Sequence, residues 1–202
     1  SLDSHLSQLL KLPPSARAKR VADLSARERE ALARELAHRE RAHLRFRTVL
    51  ESPDFCGLDL SPMVAAIADA ADGVRPSTSS RYFGCSLGGL PRQRRRTVAV
   101  QAGGRGGKTS RLLAPKALHA AWTTPLPTLA DGEHAVALIV SSDLVFAKQA
   151  LSFCVGYVQR SPALRDALVG EPSTESLTLK RPDGKLVDVR VRAAGAKGKG
   201  GR

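Results

Sequence analysis

Aromatic residues are scarce in this chain of 202 residues: 4% of the total, with one Trp, two Tyr and five Phe. A base-stacking platform for single-stranded nucleic acid needs several rings close together, and Tyr82-Phe83 and Trp122 are too isolated to build one. Cysteine is scarcer. Cys56, Cys85 and Cys154 are odd in number and far apart. They make neither a CxxC metal site nor a disulfide framework, and a reducing cytosol is their natural setting. No run of about 18 apolar residues exists, which argues against any membrane-spanning helix. The N-terminal SLDSHLSQLLKLPPSARAKR lacks the apolar stretch of a signal peptide. The histidines at 5, 38, 43, 119 and 134 show no metal spacing; His38 and His43 are five apart, not the four of a helical ligand pair. Ser141-Ser142 follows an apolar run, but no G-x-S-x-G accompanies it.

Acidic residues are also few. Against 32 Lys and Arg stand 19 Asp and Glu, a net charge of +13 with a pI near 10.5. Such an excess suits a polyanionic partner such as nucleic acid. It is unevenly spread: net +5 over 1–50, −3 over 51–90 and +11 over 91–202. The middle segment is an acidic insert between two basic blocks.

Residues 1–50 read as a helical region. An amphipathic stretch over 2–11 stops at Pro13-Pro14, and a second covers about 15–23. Ser25 and Glu28 form a capping box that opens a helix expected to run to about Leu50, with Leu32, Leu36 and the His43/Leu44 pair on one face. Residues 51–96 form a lead-in. Ser61-Pro62 caps an apolar helix over 62–72 that Gly73 stops, and 73–96 is mostly loop, with Arg92, Arg94, Arg95 and Arg96 as the densest basic cluster. From 97 the pattern is α/β. TVAV (97–100) predicts a short buried strand. A helix near 108–121 follows, kinked or divided by Pro115. HAVALIV (134–140) predicts a central parallel strand, and Asp143 starts a helix to about Gln159. SLTLK (176–180) and KLVDVRVRA (185–193) flank Pro182-Asp183-Gly184, a hairpin signal. The tail GAKGKGGR reads as flexible and basic.

The segment that carries chemistry is AGGRGGKTS, residues 102–110. It follows a strand pattern and opens a helix, the setting a P-loop requires. Ala102 stands where the strict pattern has its first Gly; Gly107, Lys108 and Thr109 match. Glycines let backbone N–H groups wrap phosphates closely, and the helix N-terminus adds positive potential. Lys108 is placed for the β- and γ-phosphates and Thr109 for Mg²⁺. Gly103, Gly104, Gly106 and Ser110 complete the loop. Arg105, inside it, is a candidate γ-phosphate or trans-acting arginine. Hydrolysis also needs an acidic pair after an apolar strand. No Asp-Glu dipeptide occurs; Asp143 and Asp188 are single. The chain is therefore expected to stop before that strand.

Three blocks in order resemble the large subunit of tailed-phage terminases. These are VAVQAGGRGGKTSRLLAPKALHAAW, GEHAVALIVSSDLVFAKQALSFCVGYVQRSPAL (132–164), and the hairpin SLTLKRPDGKLVDVRVRAA followed by AKGKGGR. The resemblance is clear over 97–202 and loose before it. It implies a P-loop NTPase core (a parallel sheet flanked by helices, with a β-hairpin) over 97–202, truncated before the Walker B strand. Helical regions at 1–50 and 51–96 would precede it. It also implies an ATPase that powers packaging of double-stranded DNA into procapsids, with ATP and Mg²⁺ as cofactors, and the portal, a small terminase subunit and a homo-oligomeric ring (a pentamer in the family) as partners. The setting would be the cytoplasm of an infected bacterial host, with no membrane. Lys108 and Thr109 map onto the phosphate and Mg²⁺ positions and Arg105 onto the family's Walker A arginine. Gln93 and Tyr82 are candidates to hold adenine. Without Walker B, the coupling motif and a nuclease domain, the chain should bind ATP but turn it over poorly and should not cut DNA. A helicase-like or DNA-repair ATPase shares the same core order, and a DNA-binding interaction module with a vestigial P-loop is the non-enzymatic alternative.

Overall fold

The computed structural model describes residues 21–30, 44–76, 82–83, 86–90, 92–94, 97–101, 107–126, 128–130 and 132–194, with Pro13, Ala16 and Leu32. The expected stretch over 2–11, most of the one over 15–23, His38, His43 and the basic tail lie outside them. The fold is mixed α/β. Four strands form one sheet in the order β1 (His134–Ser141), β4 (Leu186–Ala193), β3 (Ser176–Lys180), β2 (Leu168–Val169). β1 and β4 run parallel, from His134 beside Leu186 to Ser141 beside Ala193, and the β3–β4 and β2–β3 pairs are antiparallel. The expected parallel sheet is thus a mixed one. β1 lies at its edge rather than its centre, because the hairpin places both its strands on one side.

The helices pack on one face. α1 (Phe46–Glu51) and α2 (Pro62–Ala71) precede a π-helical turn, Lys108–Leu113, which continues directly into α3 (Ala114–Thr123). α4 (Leu144–Arg160) and α5 (Pro162–Arg165) follow β1. Leu118, Ala121 and Trp122 of α3 and Ala147, Leu151, Cys154 and Val158 of α4 bury against Ile139, Leu177, Leu179, Val187, Val189 and Val191 of the sheet. A smaller core joins Phe46 and Leu50 of α1, Val64 and Ala68 of α2, and Leu112 of the π turn. Leu112 thereby fixes the start of the long helical segment against the N-terminal helices. The opposite face of β1 is bare: Val136, Leu138 and Val140 are each about half exposed.

Local signals account for most element ends. The capping box is present: Ser25 N–H donates to Glu28 Oε2 at 2.9 Å and Glu28 N–H to Ser25 Oγ at 3.3 Å. Asp143 caps α4 by accepting from Val145 N–H at 2.6 Å. Ser61 caps α2 by accepting from Val64 N–H, with Pro62 at the first helical position. Substituting Ser61→Ala removes that acceptor and is expected to cost about 1 kcal/mol, read as a lower urea midpoint with an unchanged m-value. Pro115 has no N–H and its ring crowds the carbonyl one turn back. The helix accommodates it by widening into the π turn that ends at Leu113 instead of breaking.

Two expected elements differ. The helix opened at Ser25 does not run through to Leu50. Leu44 and Arg45 are non-helical, Arg45 is extended at φ −73° and ψ 146°, and α1 starts afresh at Phe46. The interruption has a tertiary cause: Leu44 C=O accepts from His119 Nε2 at 2.9 Å, and Phe46 N–H donates to Asp72 Oδ2. Residues 97–100 form no strand, because no neighbouring strand among the described residues supplies the hydrogen bonds, and Val98 and Val100 remain 44% and 39% exposed.

Candidate functional site

The site is built at the start of the helical segment 108–123. Gly107 precedes it with φ 69° and ψ 10°, the left-handed region. A side chain there would be strained, and a Cβ would lie 3.3 Å from Arg111 Cδ. This conformation turns the chain into the helix with Lys108 and Thr109 as its first residues. Arg111 N–H donates to Gly107 C=O at 2.7 Å, closing the first turn. Ser110 Oγ turns back to Gly107 C=O at 3.4 Å, and Ser110 C=O accepts from Tyr157 O–H of α4 at 2.8 Å. Ser110 therefore braces the turn. Arg111 reaches across to Asp59 C=O at 3.0 Å.

A cavity of about 320 Å³ opens beside this turn, with Lys108, Thr109, Leu112, Leu113 and Lys116 along one wall and Phe46, Ile67, Ala71, Val98 and Val100 on the others. Its lining is apolar apart from the two lysines and the threonine. Of the expected nucleotide-binding residues, Lys108 and Thr109 line it, while Gly107 and Ser110 flank them in the chain without lining it. Gln93 is exposed and Tyr82 half-buried, and neither lines the cavity. Ala102, Gly103, Gly104, Arg105 and Gly106 lie outside the described residues.

Behind the cavity is a buried polar cluster. His119, one turn beyond Lys116 on α3, is fully buried. Because its Nε2 donates to the Leu44 carbonyl, its Nδ1 is the unprotonated acceptor. Lys116 Nζ approaches Nδ1 to 3.4 Å, and Arg94 Nη2 lies 3.3–3.4 Å from both ring nitrogens. Burial first, then the Lys116 charge, depress the His119 pKa to about 3, so the ring is neutral at pH 7. Arg94 also donates to Thr123 Oγ1 at 3.1 Å and pairs with Asp72 at 3.6 Å. The pairing depends on a close approach at Gly73, whose φ of 74° ends α2 and where any Cβ would overlap the Gln93 backbone. Burial likewise lowers the Lys116 pKa from its usual 10.5. Its ammonium lies 4.5 Å above the Phe46 ring, a favourable cation–π contact.

Phe46, Ile67, Ala71 and Lys116 went unnoticed as site residues. Phe46 fell inside a helix expected to be continuous. Ile67 and Ala71 belong to an apolar stripe that reads as core. Lys116 had one available signal: it lies two helical turns beyond Lys108, on the same side.

A magnesium ion takes most of its ligands from water and substrate phosphates, with few protein groups. The half-buried Thr109 hydroxyl beside Lys108 fits that role. Among the described residues no cluster of three His, Cys, Asp or Glu side chains could hold a metal alone, and no carboxylate lines the cavity. The cavity wall thus offers two ammonium groups and one hydroxyl to an anion, and among the described residues no carboxylate lines it to act as a general base. Among the described residues, no helix is long and apolar enough to cross a membrane.

No family model matches the chain, and neither a curated protein nor a solved structure does.

Proposed function

We propose that this chain is the nucleotide-binding part of a P-loop motor ATPase similar to the large terminase subunit, taking Mg²⁺-ATP and acting on double-stranded DNA. The observation that carries this reading is the open cavity at the helix start, where Lys108 and Thr109 follow left-handed Gly107 along one wall. A π turn at this place is in keeping, since such turns gather at functional sites. The net charge of +13 supports a grip on the DNA backbone. The portal, the small subunit and the homo-oligomeric ring belong to the same reading and rest on the resemblance.

In this reading Lys108 holds the β- and γ-phosphates and Thr109 supplies the protein oxygen for Mg²⁺; the ion, when bound, neutralises phosphate charge. Arg105 senses the γ-phosphate. The edge of β1, eight residues without proline or lysine, has no neighbouring strand among the described residues and is of the kind proteins normally cover. It is where this reading seats an acid-bearing strand.

The test is calorimetry with Mg²⁺-ATP. The wild-type chain is expected to bind, and Lys108→Ala to bind about 100-fold more weakly, the scale of one lost hydrogen bond between charged groups. Absence of binding by the wild-type chain at millimolar ATP would overturn the nucleotide site and favour the interaction-module alternative.

A further inference from the structure

We infer that Lys116 reads the nucleoside: its ammonium donates to an acceptor atom on the base of the bound nucleotide, with the base lodged in the cavity between Phe46, Ile67 and Leu112. The inference rests on the proposed nucleotide site and extends it from a phosphate grip to a specificity device.

Three observations carry it. The cavity, about 320 Å³, is lined almost entirely by apolar side chains beyond Lys108 and Thr109. Triphosphate alone has no use for such a wall, whereas a flat heteroaromatic base does. Next, Lys108 and Lys116 lie on one wall, eight residues apart. At the α-helical rise of ~1.5 Å per residue, and less through the π turn, their backbones lie at most about 12 Å apart along the helix, comparable to the reach from the β-phosphate to the base of an extended nucleotide. Last, Lys116 is a half-buried cation with no carboxylate within ion-pair distance among the described residues; Asp72 acts on it only through space and is itself paired with Arg94. Its contacts are the Phe46 ring and the neutral His119. Arg94, the other cation against that ring, is paired with Asp72. Lys116 faces the cavity with donor capacity that neither contact exhausts, since an ammonium carries three N–H groups.

Burial also lowers the Lys116 pKa, so a fixed acceptor inside the cavity would relieve a cost already present in the free protein. Ring nitrogens and exocyclic oxygens of a base supply such acceptors; the apolar walls do not. His119 holds the ammonium from behind. Its Nε2–H is committed to Leu44, so only the acceptor side of the ring faces Lys116.

The experiment measures Mg²⁺-ATP and Mg²⁺-tripolyphosphate binding by calorimetry to the wild-type chain, Lys116→Met and Lys116→Gln, with urea midpoints confirming that each is folded. The wild-type chain is expected to bind ATP more tightly than tripolyphosphate. Lys116→Met should weaken ATP about 10-fold while leaving tripolyphosphate unchanged, and Lys116→Gln, which keeps a donor, should recover part of the loss. Equal weakening of both ligands would show a general charge effect and overturn the inference. So would unchanged ATP binding in Lys116→Met, or a wild-type chain that binds both ligands equally, each with the phosphate grip intact. Failure of the wild-type chain to bind either ligand would remove the proposed nucleotide site itself.

Discussion

On acidification from pH 7 to pH 4 the protein is expected to lose on the order of 3 kcal/mol of folding stability through His119 alone. The sign follows from the direction of its shift. In the unfolded chain the ring titrates near 6.5; in the fold burial and the Lys116 charge hold it near 3. Between those values the unfolded chain takes up a proton that the folded chain refuses. Stability is therefore full above pH 6.5 and declines as pH falls toward 3. Every charged group facing the ring acts on that balance. Lys116 on α3 opposes protonation most, the Leu44 carbonyl favours it, and Arg94 from the loop after Gly73 opposes it less than Lys116 does; Asp72 pairs with Arg94. Asp188 adds a second, later loss. Although burial opposes ionisation, bonds from Thr178, Arg190 and His134 hold its carboxyl below the usual 3.8. Its contribution is kept above pH 3.8 and lost only as pH falls through that lower value. Urea midpoints at pH 7, 5.5 and 4 check the first loss, and His119→Gln should flatten the dependence over that range. Equal midpoints for the wild-type chain at pH 7 and 4 would show that the ring is solvated in the fold.

The contrast between His119 and the helix start at Gly107 shows what a sequence can reveal. Gly107-Lys108-Thr109, the cap at Ser61-Pro62, the cap at Asp143 and the Pro182-Asp183-Gly184 turn all act through residues within four positions of one another. Their geometry is written locally, and the fold honours it: α2 ends at Ala71, α4 begins at Leu144, and the hairpin strands fall at 176–180 and 186–193. His119 shows no such signal. Its importance comes from a carbonyl 75 residues earlier and an arginine 25 residues earlier, and the same carbonyl contact marks where the expected long helix is interrupted at Leu44 and Arg45. The 97–100 segment illustrates the reverse case. Its β-branched pattern is genuine strand propensity, but a strand needs a neighbour, and the sheet places β4 beside β1 instead. α5 and the two-residue β2 carried no periodicity because both are too short to show any. Within the candidate site, Lys108 and Thr109 were singled out by the motif, and both line the cavity. The apolar wall was not, since Phe46, Ile67 and Ala71 look like ordinary core until the cavity shows which side of them is empty.

Removing the Arg181 guanidinium is expected to cost about 3–5 kcal/mol, the range for breaking a buried charge pair from one side. Arg181 directly follows β3 and is only 2% exposed. Its Nη1 donates to Thr124 C=O at 2.7 Å and Ala121 C=O at 3.4 Å, and its Nη2 pairs with Asp183 at 3.0 Å. Those carbonyls lie at the end of α3, whose last orphan acceptors need donors from elsewhere. Lys185 Nζ adds a bond to Leu126 C=O, so the hairpin turn is tied at two points to the chain leaving α3. The turn holds its own shape through Gly184, at φ 82°, and through Arg181 N–H to Lys185 C=O at 2.9 Å. Arg181→Ala takes the guanidinium from Asp183, strips two carbonyls of their donor and opens a void. Arg181→Lys keeps a charge but not the fork that reaches three acceptors, and should fall between the two. Urea unfolding measures both, and a loss below about 1 kcal/mol for Arg181→Ala would mean that water replaces the guanidinium at the end of α3. The size of the effect follows from topology. β4 is the strand that pairs with β1, and α3 is the helix that continues from the turn at Lys108, so Arg181, with Lys185, ties the hairpin of the sheet to the end of the helical segment that Lys108 begins.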